Sequence, residues 1–374
     1  MMEVINILNL NLLIVLDFFR KEHPTWDNAI HIEKAIKWLC RAHDSTDDGG
    51  VSEGYHLFYG WLPSYPETTG YIIETFFDYF TLSNDESMKD RAIKMADWLL
   101  GIQNNDGSIP DSYFKENLVF DTGQVIFGFV RTYEETKKIE YKSAAVKAGE
   151  WLTKVQEEDG SWQKHALGKL PHTYYTRVAW SLLRLHNITK EKRFLDASIK
   201  NIYWALSHQE ENGWFNKSSF TLKNHSHPYT HTIAYTIRGI LEAGLYLQEN
   251  KFIKSVTHAM DNLIKSIPQN GGVFGSYDNE WTGNKRFSCL TGNAQLAIIL
   301  FKLFMITKND RYITAGKKIN HYLKCKQELR VKNVNLHGSI AGSYPIWGRY
   351  IHFTYPNWAA KFFIDSLLLE NKLT

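Results

Sequence analysis

Two kinds of helical segment alternate along this chain. One kind carries Lys and Glu on one face and apolar residues on the other, and it ends in a Trp, a Gln five residues later, and a Gly turn. The other kind is apolar nearly all round and starts near a Thr. A helix with one polar face lies at the surface, whereas a helix without one must be covered on both sides. The pattern predicts an outer and an inner set of helices.

The polar-faced segment repeats at a spacing of about 53 residues. Its six copies, of which the last two are degenerate, stand at 35–50, 96–108, 149–162, 202–215, 262–275 and 321–327. An apolar segment follows each turn, at 67–80, 120–133, 174–185, 230–247, 289–304 and 355–370. Six alternating pairs predict an all-α fold, an (α/α)6 toroid with an inner and an outer ring of helices.

The connections between the predicted helices differ in length. Inner-to-outer links such as 82–87 and 187–193 are short, while outer-to-inner links run to about 15 to 30 residues and hold most of the Gly, Pro and aromatic residues. Long loops often carry function. Because every inner helix then begins on the long-loop side, six partially positive N-termini meet at one mouth, which we expect to favour an anion.

The length of 374 residues and the 44% hydrophobic content fit one large globular unit. We expect a single barrel domain over 26–374 and an N-terminal docking helix over 1–25. That apolar opening lacks the basic start and the small-residue cleavage site of a signal peptide, and polar residues interrupt it. Residues 1–20 remain a candidate membrane contact.

Charge and cysteine content narrow the classes of partner. The net charge is only +3, and the basic residues form no long run, so we expect no nucleic-acid partner. Three widely separated cysteines without CxxC spacing argue against a disulfide framework and a structural zinc site. We expect a cytoplasmic location, peripheral to a membrane if residues 1–20 dock there.

The W-L-x-x-x-Q-x-x-D/N-G pattern resembles the QW repeats of squalene-cyclase and prenyltransferase-type toroids, over about residues 26–370. In those proteins the Gln ties a helix end to the next loop and the aromatic side chain packs over it. The resemblance implies this scaffold role for three pairs here, Trp98/Gln103, Trp151/Gln156 and Trp204/Gln209. By architecture and mouth chemistry the chain is also similar to carbohydrate-active (α/α)6 barrels such as polysaccharide lyases, sugar epimerases and unsaturated glucuronyl hydrolases.

A terpenoid cyclase or prenyltransferase-like toroid is an alternative. A cyclase of this kind needs an acidic D-x-D-D motif, but Asp44, Asp47 and Asp48 stand one residue out of that pattern and in a Gly turn. The mouth loops also carry His, Arg, Asn and Glu, where a terpenoid funnel would be apolar. A zinc-binding set of Asp, Cys and His cannot be placed, so we expect no metal and no cofactor.

Aligning the inner helices on their Thr brings Glu67 and Asp121 to neighbouring positions at the mouth, in adjacent repeats. Two carboxyl groups that face a glycosidic bond are the catalytic pair of glycoside hydrolases. Each of these carboxylates would alternatively cap the start of its own helix. Hydrolysis by Glu67 and Asp121 is therefore one functional hypothesis.

A second arc of the mouth holds histidine, tyrosine and arginine side chains. His231 and Tyr235 lie four residues apart at the start of the fourth inner helix, so they project from one face. Arg177, together with His172 and Tyr175, comes from the third repeat. An Arg that neutralises a uronate carboxylate and a His or Tyr that withdraws the α-proton provide lyase or epimerase chemistry.

Further polar and aromatic side chains are predicted to bind substrate. Two places after the aligned Thr stand Tyr71, Gln124 and Asn293, polar positions within otherwise apolar helices. The last long loop is rich in Gly and aromatic residues, and it provides the other three predicted contacts, Trp347, Arg349 and Tyr355.

These patterns favour a carbohydrate-active enzyme over a non-catalytic glycan-binding protein built on the same toroid. The predicted substrate is an acidic, uronate-containing oligo- or polysaccharide, and the predicted reaction is proton abstraction of the lyase or epimerase type. Glycoside hydrolysis by the two carboxylates, terpenoid chemistry and glycan binding without turnover are the alternatives.

Overall fold

The computed structural model describes residues 24–113, 115–221 and 226–373. Residues 1–23, which contain nearly all of the predicted docking helix, lie outside the described part of the chain.

Twelve α-helices run through the described ranges and alternate between two rings. The outer helices are α1 (Asn28–Asp44), α3 (Glu86–Ile102), α5 (Ile139–Lys154), α7 (Lys192–Leu206), α9 (Asn250–Lys265) and α11 (Asp310–Lys324). The inner helices are α2 (Pro66–Ser83), α4 (Val119–Thr136), α6 (Thr176–Thr189), α8 (Thr230–Leu247), α10 (Leu290–Thr307) and α12 (Asn357–Asn371). Each inner helix packs on the next and α12 packs back on α2, so the predicted (α/α)6 toroid is confirmed.

The two rings differ in burial as their patterns predict. The outer helix α9 buries one apolar stripe, whereas nearly every side chain in the first three turns of α10 is buried. The helix α10 is long and apolar enough to cross a membrane, but it packs inside the ring between α8 and α12. Its composition therefore reflects coverage on both sides by protein.

The first and last long loops join where the ring closes. Strands β1 (Gly54–His56) and β2 (Gly60–Trp61) form an antiparallel hairpin, and β5 (Thr354–Pro356) pairs antiparallel with β1. A second small ladder pairs β3 (Ser288–Cys289) with β4 (Ser343–Tyr344). The loops of repeats one, five and six thus form one rim.

A glutamine at the end of the outer helix fastens each of several hairpins to the next one. The side-chain amide of Gln103 donates to the carbonyl of Gly107 in its own turn at 3.1 Å and to the carbonyl of Ala144 in α5 at 3.0 Å. Gln156 and Gln209 make the same pair of bonds one and two repeats later. The scaffold role predicted for these glutamines is confirmed.

The same bond closes the ring. Gln327, after α11, donates to the carbonyl of Gly338 at 2.9 Å and to the carbonyl of His31 in α1 at 3.1 Å. In the first repeat His43 takes the place of the glutamine, and its Nε2 lies 3.1 Å from the carbonyl of Gly49. The bond between Gln327 and His31 thus joins residues almost 300 positions apart by the same motif that joins neighbouring repeats.

The glycine of the turn is required for this contact. Gly107 has a φ of 92°, which is unfavourable for other residues, and a Cβ there would lie 2.2 Å from the carbonyl oxygen of Lys147. The turn can therefore press directly against the backbone of α5.

The aligned threonines lie within the first turns of the inner helices and do not cap them. Helix α2 begins at Pro66, so Thr69 lies inside its first turn. The Thr69 hydroxyl donates to the carbonyl of Tyr65 at 2.8 Å and accepts the Val51 N–H at 3.0 Å. Thr122 is bonded in the same way. These threonines tie the long loop to the helix start.

We predict that Gln103→Ala lowers the free energy of unfolding by about 2 kcal/mol, because two hydrogen bonds are lost and two carbonyls lose a partner. Chemical denaturation of the full chain measures this change. The control is Gln163→Ala, since the Gln163 side chain is exposed and its loss should change stability by less than about 0.5 kcal/mol. Equal stabilities of the two variants would contradict the scaffold role of Gln103.

Candidate active site

A cavity of about 180 Å³ opens at the mouth of the barrel. Side chains at the N-terminal ends of four inner helices, α2, α4, α8 and α12, line it, together with residues from the long loops. Most of its wall is aromatic, formed by Tyr65, Phe120, Tyr174, Tyr175, Phe220, Tyr235, Tyr350 and Trp358. We call it the mouth cavity.

The two carboxyl groups predicted to form a pair both line the mouth cavity. Glu67 belongs to the first turn of α2 and Asp121 to the first turn of α4, the neighbouring inner helix. Because inner helices pack side by side, equivalent positions in adjacent repeats face the same space.

Burial changes the acidity of both groups. Burial raises the pKa of Asp121 well above its usual value, and the charges of Glu67 and Asp111 raise it further. Burial also raises the pKa of Glu67 to about 7, while hydrogen bonding from the Tyr65 hydroxyl and the charge of Arg177 oppose the rise. Asp121 is only 2% exposed. The pair therefore keeps a proton at neutral pH, where ordinary carboxyl groups are ionised.

Several polar atoms at this site are not engaged by the described part of the protein. Asp121 Oδ2, Tyr71 Oη and Tyr235 Oη are buried, and none of them makes a hydrogen bond of good geometry with the residues described. Native interiors rarely leave such groups without partners. Asp121 lines the mouth cavity, so its carboxyl group lies beside the space that a ligand would enter.

His231 lies on the same cavity as the carboxyl pair. Its ring is 4.2 Å from the ring of Tyr235 and 5.2 Å from that of Tyr350, measured between centroids. Burial and the charge of Arg177 lower the pKa of His231 well below its usual value, so the ring is neutral at physiological pH. The expectation that His231 and Tyr235 project together into the funnel agrees with this geometry.

The hydrogen bond to Gln295 determines which nitrogen of His231 carries the proton. The amide Nε2 of Gln295 lies 2.6 Å from Nδ1 and donates to it, which places the ring proton on Nε2. In this state His231 offers a hydrogen-bond donor to the cavity. If the Gln295 amide turns over so that its oxygen accepts from Nδ1, then Nε2 becomes a base.

The tyrosines of the cavity are poor bases. Burial raises the pKa of Tyr235, and burial with neighbouring charges raises that of Tyr350 and Tyr174. These hydroxyls stay protonated across the physiological range, which favours a donor role for Tyr235 over the proton-abstracting role considered from the sequence.

Arg177 takes a different position from the one expected. Its guanidinium lies behind the mouth cavity, 4.9 Å from the ring centroid of Tyr235 and 5.1 Å from that of Tyr71, and its Nε donates to Gln124 Oε1 at 2.6 Å. Arg177 lines a second cavity and is absent from the lining of the first, within the residues described. It acts on Glu67 and His231 through its charge.

Three other residues predicted to bind substrate are internal. Tyr71 is fully buried behind the cavity. Gln124 holds Arg177, and the amide of Asn293 bonds to the backbone of Val273 at 2.9 Å and to neighbouring groups at the start of α10. Gln124 and Asn293 thus satisfy polar groups inside the barrel, whereas the Tyr71 hydroxyl makes no hydrogen bond of good geometry with the described residues.

The third-repeat loop contributes one wall. Tyr175 lines the mouth cavity, and its hydroxyl accepts the N–H of Leu167 at 3.0 Å. His172 is buried beside it, with Nε2 2.8 Å from the carbonyl of Leu167 and its ring stacked on Tyr174. His172 therefore shapes the wall through Tyr174 and the loop.

The last long loop places its predicted residues at different depths. Trp347 is 39% exposed and Arg349 is exposed at the surface. Tyr355 is buried, and its hydroxyl donates to Glu328 Oε1 at 3.0 Å. Two residues of this loop reach the cavity, Tyr350 and Ile351. The Tyr350 hydroxyl accepts from the Trp358 indole N–H at 2.8 Å.

Sequence reasoning missed other lining residues. Glu53 from the first long loop, Tyr65 just before α2 and Phe220 from the fourth repeat all line the cavity. Glu53, Tyr65 and Phe220 all stand in long loops, outside the repeated helical segments, so no repeat position identifies them.

The sequence led us to expect a mouth that favours an anion, but the charged groups of the mouth cavity do not fit that expectation. Its lining includes three carboxyl groups, on Glu53, Glu67 and Asp121, and no Lys or Arg from the described ranges. An anionic ligand would meet these carboxyl groups without a cation to neutralise it. Across the described residues, no cluster of three or more His, Cys, Asp or Glu side chains has an arrangement that could hold a metal.

Comparison with known families supports the repeat analysis. The family model of the squalene-hopene cyclase C-terminal domain matches residues 61–243. No curated protein matches the sequence. The resemblance of the repeats to those of squalene-cyclase-type toroids is confirmed.

Solved structures with the same fold process carbohydrates. An unsaturated glucuronyl hydrolase specific for heparin has a TM-score of 0.75 at 14% identity, covering 92% of this chain and 97% of that one. Cellobiose 2-epimerase from Bacillus thermoamylovorans has a TM-score of 0.72 at 11% identity, with coverages of 91% and 97%. An α-amylase from Clostridium perfringens has a TM-score of 0.65 at 12% identity, with coverages of 91% and 97%. At these identities the similarity establishes the fold, a six-hairpin α/α toroid.

Proposed function

We propose that this chain is a carbohydrate-active enzyme in which Glu67 and Asp121 transfer protons at a glycosidic bond held in the mouth cavity. One observation carries the proposal: two buried carboxyl groups, from adjacent inner helices, line the same aromatic-walled cavity. The carbohydrate-processing names of the similar structures support the substrate class.

The acidity of the pair fits hydrolysis. Because burial disfavours ionisation of both groups and the charge of Glu67 disfavours ionisation of Asp121, the pair holds one proton over a range around neutral pH. The protonated carboxyl can donate to the leaving oxygen, while the ionised one can activate water or attack the sugar. Enzymes often assign the acid role and the base role to two carboxyl groups whose surroundings give them different pKa values.

The size and walls of the cavity support action on a single ring. Pockets for drug-sized ligands span roughly 300–1,000 Å³, and the mouth cavity of about 180 Å³ is smaller. Aromatic faces such as those of Tyr174 and Trp358 can pack against the apolar face of a sugar ring. We infer that one terminal sugar ring enters and that the rest of the substrate stays outside.

The charge that we propose for the sugar ring in the cavity differs from the acidic, uronate-containing substrate expected from the sequence. A uronate carboxylate placed in the mouth cavity would lie among three carboxyl groups. We therefore propose that the ring inside the cavity is neutral. Any acidic unit of the substrate would lie at the rim, where Arg349 is exposed.

We predict that Glu67→Gln and Asp121→Asn each lower kcat/KM by about 10²- to 10⁴-fold, the effect of losing a positioned acid or base. Release of reducing ends from a panel of neutral and uronate-capped oligosaccharides measures this change. The kcat/KM of the unmodified chain should follow a bell-shaped pH profile with one limb near pH 7, since Glu67 has a pKa of about 7. Glu158→Gln, which removes an exposed carboxylate outside the mouth cavity, is the matched control. Full activity in both site variants would exclude the carboxyl pair.

Proton abstraction from a sugar carbon, of the epimerase or lyase type, is a second candidate function. Its specific support is His231, a neutral ring on the mouth cavity whose Nδ1 is held by Gln295. Such a ring can serve as a base through Nε2 when Gln295 presents its oxygen to Nδ1. Epimerisation returns a hydrogen from solvent to that carbon and β-elimination leaves an unsaturated ring, whereas hydrolysis does neither.

Turnover in heavy water separates the two candidates. If His231 is the base, an epimerised product carries deuterium at carbon or an eliminated product carries a double bond, and His231→Ala lowers kcat by about 10²-fold or more with little change in KM. Mass spectrometry detects the label, and ultraviolet absorbance detects the double bond. His227→Ala, an exposed histidine before α8, is the control. New reducing ends without carbon-bound deuterium or an unsaturated ring, formed at a rate that depends on Glu67 and Asp121, would exclude proton abstraction and support hydrolysis.

A further inference from the structure

A second cavity, of about 590 Å³, lies at the end of the barrel opposite the mouth. Residues from all six inner helices line it, mostly from their C-terminal halves, and none of them lines the mouth cavity. We call it the far cavity. Its chemistry is different, because its walls carry charged side chains of both signs.

Most of these charges neutralise one another. Glu74 pairs with Arg184 at 2.8 Å, and Glu242 pairs with both Arg238 and Lys302, the latter at 2.7 Å. Asp78 and Asp365 pair with Arg131 and Lys361. The cations of the described lining still outnumber the carboxylates, even when Glu134 and Glu135 at the edge are included. The far cavity therefore has a positive surplus.

Arg177 is the clearest source of that surplus. It is 3% exposed, and within the described residues it has no carboxylate partner. Its Nε donates to Gln124, and neither Nη group makes a hydrogen bond with the described residues. Five aromatic rings have their centroids 4.9–5.4 Å from the guanidinium carbon. Arg177 nevertheless lines the far cavity.

Arg238 presents a second guanidinium in the same way. Its Nε binds Glu242, so its Nη groups are left for other partners. Arg177 and Arg238 both pack on Trp180, at 5.3 Å and 5.1 Å from the centroid of the indole ring. Two arginines from adjacent inner helices thus share one aromatic neighbour and line the same cavity.

We propose that the far cavity binds a phosphate group of a small molecule between Arg177 and Arg238. A guanidinium edge with two free Nη groups matches two oxygens of a phosphate, and two such edges can hold one dianion. The cavity exceeds the size of inorganic phosphate, so a phosphate-bearing organic molecule also fits. This proposal is independent of the reaction proposed for the mouth cavity.

Isothermal titration calorimetry of the full chain with inorganic phosphate, at constant ionic strength set with chloride, tests the proposal. We expect saturable binding that weakens by about tenfold or more in Arg238→Gln, because a charge-assisted contact is lost. The matched control is Arg193→Gln, a half-exposed arginine between two glutamates on the outer surface, which should bind as the unmodified chain does. Glucose 1-phosphate, titrated in parallel, shows whether an organic phosphate binds more tightly than the free ion.

Lys302→Met provides a second variant if Arg238→Gln fails to fold. It removes one positive charge from the far cavity and leaves Glu242 paired with Arg238, and it should also weaken phosphate binding. The proposal is overturned if the unmodified chain binds neither phosphate nor glucose 1-phosphate, or if the folded far-cavity variants bind as tightly as Arg193→Gln.

Discussion

The glutamine side-chain amide at the end of an outer helix is the interaction on which this ring depends. A single amide donates to the carbonyl of its own turn and to a carbonyl of the next outer helix, as Gln103 does with Gly107 and Ala144. It thus sets the position of one hairpin relative to the next. Because Gln327 makes the same bond to His31, the series closes on itself. The long loops begin at these fixed turns, and they lead to the inner helix N-termini that form the mouth cavity.

The closed ring explains the electrostatics of the candidate site. Carboxyl groups that start neighbouring inner helices are brought together away from water, so burial raises the pKa of Glu67 and Asp121. Arg177 lies behind them and limits this rise for Glu67, while burial and the charge of Arg177 together keep His231 neutral. Arg177 also lines the far cavity. One residue between the two cavities therefore affects the chemistry proposed for each.

Repeat analysis of the sequence predicted the fold and part of the site. Equivalent positions in adjacent repeats identified Glu67 and Asp121, and a spacing of four residues placed His231 and Tyr235 on one face. Helical periodicity predicts which face of a helix a side chain occupies, but not where along the barrel axis its charged end lies. The location of Arg177 behind Tyr235 was therefore not predictable. The internal roles of Gln124 and Asn293 depend on buried partners that sequence spacing does not reveal. Phe220 lies outside the repeat and had no signal.

The measurement that tests the shared proton most directly is a carbon-13 NMR titration of the side-chain carboxyl groups of Glu67 and Asp121. Variants Glu67→Gln and Asp121→Asn assign the two signals. We predict that the pKa of Asp121 is well above its usual value and falls in Glu67→Gln, because the charge of Glu67 contributes to the rise, without reaching the usual value, because burial remains. Ionisation of Asp121 at its usual pKa, unchanged by Glu67→Gln, would contradict the proposed acid–base pair.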